Sequence, residues 1–200
     1  MMHRQRFYTD PFTDLLFNAP LGFTFLFMVA ILFMNPIAKL GTANLKAEFI
    51  ITLTWPDNQP DDLDIWVEDP HGEILSYLQR EAGWLHLDRD DRGSLNDTIE
   101  INGEKILHPI NQEVVTMRGI ISGEYVVNVY YYESVTRGPV SATVQIDKIN
   151  PELETVFFER VVLERQDVEK TVVRFRVSDR GEVVGVDRRP KRLTPYALEG

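Results

Sequence analysis

The chain has 200 residues, a formal net charge of −10 and no cysteine. The lack of cysteine excludes disulfides and thiolate metal sites, and no two of the four histidines have the spacing of a metal-binding pair. The part of the chain after residue 46 contains 17 of the 21 Lys and Arg residues and 29 of the 31 Asp and Glu residues. This part is therefore acidic, and nucleic acid is not expected as a partner.

The first predicted element is a membrane helix. Residues 1–14 form a short polar tail, and Leu15 to Met34 form an apolar run of 20 residues without charge. At 1.5 Å per residue such a run spans about 30 Å, the thickness of a bilayer's hydrocarbon core. We therefore predict a transmembrane helix over residues 15–36, which Asn35-Pro36 ends. A signal peptide cleaved at Gly41-Thr42-Ala43 is the alternative, but the run is longer than the usual apolar region of such peptides.

An acidic residue, Asp14, stands at the start of this run. Inserting a carboxylate costs about 2.5–3.5 kcal/mol of free energy at mid-bilayer and less near an edge. An acid at this position is therefore a candidate functional residue. Asn18, Pro20 and Gly22 make the first half of the run less uniformly apolar, which is typical of a helix that faces protein. The simpler alternative is an acid that only stabilises a helix N-terminus through the helix dipole.

The string Pro11-Phe12-Thr13-Asp14 before a single apolar helix resembles the Pro-Phe-x-Asp signature of the ExbD/TolR family of membrane-anchored motor subunits. MotB-type flagellar stator subunits and the related subunit of the Zorya phage-defence system share this plan. The resemblance covers about residues 10–34, and Pro11, Phe12 and Asp14 match it residue for residue. It implies that Asp14 carries a proton or a sodium ion. Thr13 and Asn18 are candidate supporting groups, although Thr13 is equally suited to cap the helix.

The same resemblance implies partners and a location. In that family, two copies of the single-pass chain stand inside a ring of five polytopic subunits of the ExbB/TolQ/MotA type. We therefore expect a homodimer in a bacterial inner membrane, with the N-terminus in the cytoplasm and the C-terminal domain in the periplasm. No cofactor is expected besides the transported ion.

After a linker at 37–46, residues 47–187 have the pattern of β-strands. Apolar residues alternate with polar ones in runs such as Phe49 to Trp55 and Thr171 to Val177, and Asn102-Gly103 is a typical hairpin turn. No long amphipathic helix follows residue 46. We predict a mainly β fold, one N-terminal transmembrane helix followed by an antiparallel β-sandwich. The basic tail at 188–200 is expected to be flexible.

Three segments of this domain resemble, in order, the YfaP-like family of bacterial β-sandwich domains over about residues 49–146. They are DDLDIWVEDPHGE at 61–73, LDRDD at 87–91 and GEYVVNV at 123–129. The resemblance implies an extracytoplasmic binding or spacer module. No nucleophile elbow, phosphate-binding loop or paired metal ligands indicate an enzyme.

Oxygen ligands are concentrated in one predicted loop, and calcium prefers such ligands. The candidates are Asp88, Asp90, Asp91 and Asp97, with Asn96, and Asp62 and Asp64 are candidate neighbours. The spacing does not match an EF-hand loop. The alternative is that these side chains fix the loop by bonding local backbone groups, with Arg89 and Arg92 balancing their charge.

Two functions follow from these patterns. The leading interpretation is a subunit of an ion-driven rotary motor, in which ion flow at Asp14 moves a periplasmic β-domain that transmits force or binds an envelope target. The second is a passive membrane-anchored binding module, whose helix serves only as an anchor.

Overall fold

The computed structural model describes residues 11–34, 46–93 and 97–197. The chain divides into two compact units, Met1–Ala43 and Asn44–Gly200. The expected tail at 1–10 and most of the expected linker lie outside the described residues.

The first unit contains a single described helix, α1, Pro11–Met34. It begins four residues before the predicted start, so the Pro-Phe-x-Asp motif forms its first turn. Proline suits the first position of a helix, because its missing N–H would have no partner there. Pro20 does not interrupt the helix, and the stretch Pro11–Ile31 is long and apolar enough to cross a membrane.

The second unit is built from antiparallel strands, as predicted, in two main sheets. In spatial order, sheet A contains β11 Glu154–Leu163, β10 Val140–Lys148, β1 Phe49–Thr54, β8 Gln112–Met117, β5 Leu85–Arg89 and β4 Glu81–Ala82. Sheet B contains β13 Val183–Asp187, β12 Glu169–Val177, β9 Gly123–Glu133, β2 Asp62–Glu68 and β3 Ile74–Leu75. A separate hairpin pairs β6 Thr98–Ile101 with β7 Glu104–Leu107 through the predicted Asn102-Gly103 turn.

The two main sheets bury their facing sides against each other, which confirms the sandwich. Alternate residues of β1 point into this core, as the sequence pattern predicts, and Phe49, Ile51 and Leu53 are fully buried. They meet inward residues of sheet B such as Ile65 and Phe175 in one apolar cluster. The outward residues Asp62, Asp64 and Trp66 of β2 are also buried, and Glu68 is partly buried.

A C-terminal strap, residues 188–197, covers part of that outer face of sheet B. The prediction of a flexible tail is wrong for these residues, because Leu193 and Ala197 pack against Trp66, Val126 and Tyr130 in a second apolar cluster. Hydrogen bonds fix the strap, including those from the Leu193 and Thr194 amides to the Glu169 carboxylate.

The strap's basic residues also have partners. Arg188 pairs with Glu159, Arg189 with Glu124 and Asp187, and Lys191 with Glu68. Residues 198–200 lie outside the described chain.

Candidate functional sites

The first candidate site is the Asp14 carboxylate, which lies in the first turn of α1 and is exposed. It is the only charged residue of the helix. Thr13 lies inside the helix, so the alternative that it caps the helix is wrong. The early start of α1 also places Asp14 within the helical segment instead of before it.

Asn18 follows Asp14 at the spacing that places two residues on one helix face. Residues four apart lie one above the other, so Asp14, Asn18 and Gly22 form one stripe along α1. Thr13 lies on a neighbouring stripe with Phe17 and Pro20. The helix therefore carries one narrow polar face that begins at the acid, and its other described side chains are mostly large, apolar and exposed.

The second candidate site is a group of four acids in the β-domain, which we call the carboxylate cluster: Asp62, Asp64, Asp90 and Glu113. Asp62 and Asp64 lie on the outward side of β2, and Asp90 lies in the loop that follows β5. Glu113 occupies an inward position of β8, the same side as the core residue Val115. Asp62, Asp64 and Glu113 are each at least 95% buried.

The cluster forms beside an edge of β2 that has no neighbouring strand among the described residues. Strand β3 pairs only with Val67 and Glu68, which leaves the preceding part of that edge open. Glu113 fills this place, since its Oε2 accepts the Ile65 N–H at 2.6 Å. One carboxylate oxygen each from Asp64, Asp90 and Glu113 lie within 4.8 Å of one another.

Three carboxylate oxygens of the cluster are buried without a hydrogen-bond partner in the described chain. They are Asp62 Oδ1, Asp64 Oδ2 and Glu113 Oε1. Loss of solvent, together with the nearby Asp90, raises the pKa of Asp62 to about 7. Burial and repulsion between the acids also raise the pKa values of Asp64 and Glu113 well above the usual range. The arrangement therefore favours binding of positive charge, either protons or a cation.

A cavity of about 240 Å³ opens onto the cluster. Its lining includes Asp62, Asp64 and Asp90 together with Arg92, Tyr77 and Tyr132. A second cation is close, because Arg80 Nη1 lies 3.8 Å from Asp90 Oδ2. The cavity adjoins a groove of about 620 Å³ lined by four tyrosines, Tyr77, Tyr130, Tyr132 and Tyr196. The acids can thus be reached from solvent past aromatic rings.

Of the four acids that the sequence predicts as calcium ligands, only Asp90 belongs to this cluster. Asp88 accepts hydrogen bonds from Thr116 Oγ1 at 2.6 Å and from Arg118 Nη2 at 2.7 Å. Asp91 is buried and accepts one from Arg89 Nη2 at 2.8 Å, which agrees with the alternative that arginine balances the loop.

Asp97 is buried, but it is not part of the described cluster. Asn96 lies outside the described residues. The sequence analysis missed Glu113. Its position in the alternation Glu113, Val115, Met117 is the signal that could have revealed an acid facing the core.

Comparison with protein-family models, with curated protein sequences and with solved structures finds no match to this chain.

Proposed function

We propose that this chain is the single-pass subunit of an ion-driven membrane motor and that Asp14 carries the transported proton or sodium ion. The observation that supports this proposal is the position of the only charged residue of α1, in the first turn of a 24-residue apolar helix. An acid in such a place is energetically costly unless it has a partner or a function. The Pro-Phe-x-Asp motif favours a function, which is ion transport.

The proposal requires a second membrane protein. A single helix in lipid offers no path for ions, because the hydrocarbon around it contains no water. The exposed side chains of α1 include Phe17, Leu21 and Phe23, and lipid or protein must cover them. We propose a ring of polytopic ExbB/TolQ/MotA-like subunits, five around two copies of this chain, with the stripe of Asp14 and Asn18 facing that ring.

In this arrangement the chain lies in a bacterial inner membrane with its N-terminus in the cytoplasm. The β-domain stands in the periplasm, where it transmits motion or binds an envelope target. The driving force is about 2.3 kcal/mol per charge for each 100 mV of membrane potential.

The test is purification of the full chain from native membranes in a mild detergent, followed by native mass spectrometry and reaction with a hydrophobic carbodiimide. This reagent modifies carboxyl groups that are protonated in an apolar setting. We expect two copies of the chain with about five copies of one polytopic protein, and modification at Asp14. Asp14→Asn removes the charge at nearly constant shape, so it should keep the assembly intact, lose the modification and abolish ion flux.

Asp10→Asn is the matched control, since it makes the same chemical change four residues earlier and should alter neither assembly nor flux. Recovery of the chain alone at high yield would contradict the motor. Unchanged ion-dependent activity in Asp14→Asn would also contradict it, and either result would favour a passive membrane-anchored binding module.

A further inference from the structure

The carboxylate cluster has an unusual hydrogen-bonding state for a protein interior. Buried polar atoms nearly always have partners, and burying an unpaired carboxylate is costly. Asp64 Oδ2 and Glu113 Oε1 have none in the described chain, although their residues are only 3% and 1% exposed. The neighbouring Asp61 shows the usual solution, since its Oδ1 accepts the Val135 and Thr136 amides at 2.6 and 2.9 Å. The unpaired oxygens of the cluster therefore favour a positively charged ligand, whereas Asp61 is already satisfied by its own hydrogen bonds.

We propose that Asp62, Asp64, Asp90 and Glu113 bind one calcium ion. The ligand atoms are all carboxylate oxygens, which hard divalent cations prefer to the softer metals. Calcium binds oxygen at about 2.3–2.6 Å, so opposite ligands lie about 4.6–5.2 Å apart. The 4.8 Å limit on the distances among the Asp64, Asp90 and Glu113 oxygens therefore allows one ion to contact all three.

The charges around the cluster match a divalent ion. Four carboxylates face two arginines, Arg92 in the cavity wall and Arg80 beside Asp90. The acids therefore outnumber the cations, and Glu133 adds further negative charge near Asp62, so a divalent ion would reduce an excess of negative charge. Magnesium usually keeps several waters and uses one or two carboxylates, whereas calcium accepts more protein oxygens in flexible geometry. The number of acids and their burial favour calcium, and the cavity leaves space for water on the open side of the ion.

The bound ion would connect segments that the fold only brings near each other. Glu113 belongs to sheet A, Asp62 and Asp64 belong to sheet B, and Asp90 belongs to a loop. All lie at the end of the sandwich where β1 finishes, since Glu113 is paired with Leu53 and not with Phe49. Calcium would thus join both sheets at the end opposite to the one where the chain enters β1. This inference uses no property of Asp14 and is independent of the motor proposal.

The test uses the full chain in detergent micelles, with terbium(III) as a luminescent probe of calcium sites. Tyr77 and Tyr132 line the cavity, and their rings can transfer excitation to a terbium ion bound there. We expect tyrosine-sensitised terbium emission that calcium displaces. We also expect saturating calcium to raise the melting temperature of the β-domain by several degrees, because an ion that binds only the folded state stabilises it.

Glu113→Gln and Asp64→Asn each remove a charge with little change in shape, and each should weaken terbium and calcium binding at least tenfold. Asp88→Asn is the matched control. It changes an acid of β5, two residues before Asp90, that the structure pairs with Arg118, so calcium binding should stay at the wild-type level. If Glu113→Gln does not fold, Asp90→Asn replaces it, because Asp90 is on a loop and only half-buried.

Three results would overturn the inference. The first is no terbium emission and no thermal shift at millimolar calcium, which would mean that the acids hold protons instead. The second is an equal calcium shift in wild type and Glu113→Gln, which would place the ion elsewhere. The third is a shift with magnesium as large as that with calcium at the same concentration.

Discussion

The two acidic sites of this chain differ in how complete they are. Asp14 stands alone on an exposed apolar helix, and in the proposed motor other subunits must supply the rest of its site. The carboxylate cluster is assembled by one chain from three segments, and oxygens of Asp64, Asp90 and Glu113 already lie within 4.8 Å of one another. An isolated acid in a membrane helix therefore predicts a partner protein, whereas a set of converging, unpaired acids in a core predicts a small cation.

Substitutions at Asp14 and at Glu113 should each abolish or weaken one activity and leave the other unchanged. Asp14→Asn should reduce ion flux through the assembled complex to background and leave terbium binding unchanged. Glu113→Gln should do the reverse, because the two sites share no residue. Flux measurements on reconstituted vesicles and terbium titrations of the same preparations check both. Loss of both activities in either variant would mean that the two sites are coupled.

A second prediction disturbs the cluster without changing any acid. Gly93 has a φ of +57°, and a Cβ at this position would lie 2.6 Å from the Pro60 carbonyl oxygen and 2.9 Å from that of Asp61. Gly93→Ala should therefore lower the free energy of unfolding by about 2–4 kcal/mol and weaken terbium binding, since it displaces the loop that carries Asp90. Chemical denaturation measures the loss.

Gly103→Ala is the control for this variant. Gly103 also has a positive φ, of +84°, but a Cβ there would have open space around it. It should lose about 1 kcal/mol and keep terbium binding at the wild-type level. An equal loss in both variants would show that the close approach of Gly93 to Pro60 and Asp61 is unimportant.

A third prediction concerns the cost of the unpaired acid. With calcium chelated at neutral pH, Glu113→Gln should be more stable than wild type by about 1–2 kcal/mol. Burial and the neighbouring acids disfavour the charged form of Glu113, so folding must either neutralise this carboxylate or bury its charge, whereas the amide avoids this cost and keeps an acceptor for the Ile65 N–H. Glu113→Ala removes that acceptor and should be about 1–3 kcal/mol less stable than Glu113→Gln. Urea denaturation in the presence of chelator checks the order. A destabilised Glu113→Gln would contradict an uncompensated charge at this position.

A fourth prediction contrasts the cluster with Asp61, the neighbouring acid that has hydrogen-bond partners. Burial alone raises the pKa of Asp61, but hydrogen bonds from Thr136, Gln59 and Val135 outweigh it and hold the pKa below the usual 3.8. Asp61→Asn should therefore cost about 1–2 kcal/mol at neutral pH, opposite in sign to Glu113→Gln. Because the folded-state pKa is depressed, this stabilisation is complete well above pH 3.8 and is lost as the pH falls below it. A difference between wild type and variant that does not shrink in acid would contradict this reasoning.

Much of the fold follows from local patterns in the sequence. The alternation in β1 and the apolar run of α1 each depend on neighbouring residues, and both elements are present in the structure. The sequence predicts Asp90 as a ligand and Asp62 and Asp64 as its neighbours, but it does not predict Glu113. Glu113 and Asp64 are 49 positions apart and belong to different sheets, so they meet only when the two sheets pack together. The strap was missed because its arginines and lysine suggest solvent exposure, while Leu193 and Ala197 supply the packing.

The Glu113 side chain also affects how readily copies of this chain can associate. An uncovered strand edge is a template on which another chain can add a strand, and proteins often block such edges with inward-pointing charges. The Glu113 carboxylate occupies the free edge of β2 at Ile65, where β3 has already ended. A chain that loses this side chain would offer an unoccupied β-edge to its neighbours, so filament formation and precipitation, and not only a lower melting temperature, would mark its absence.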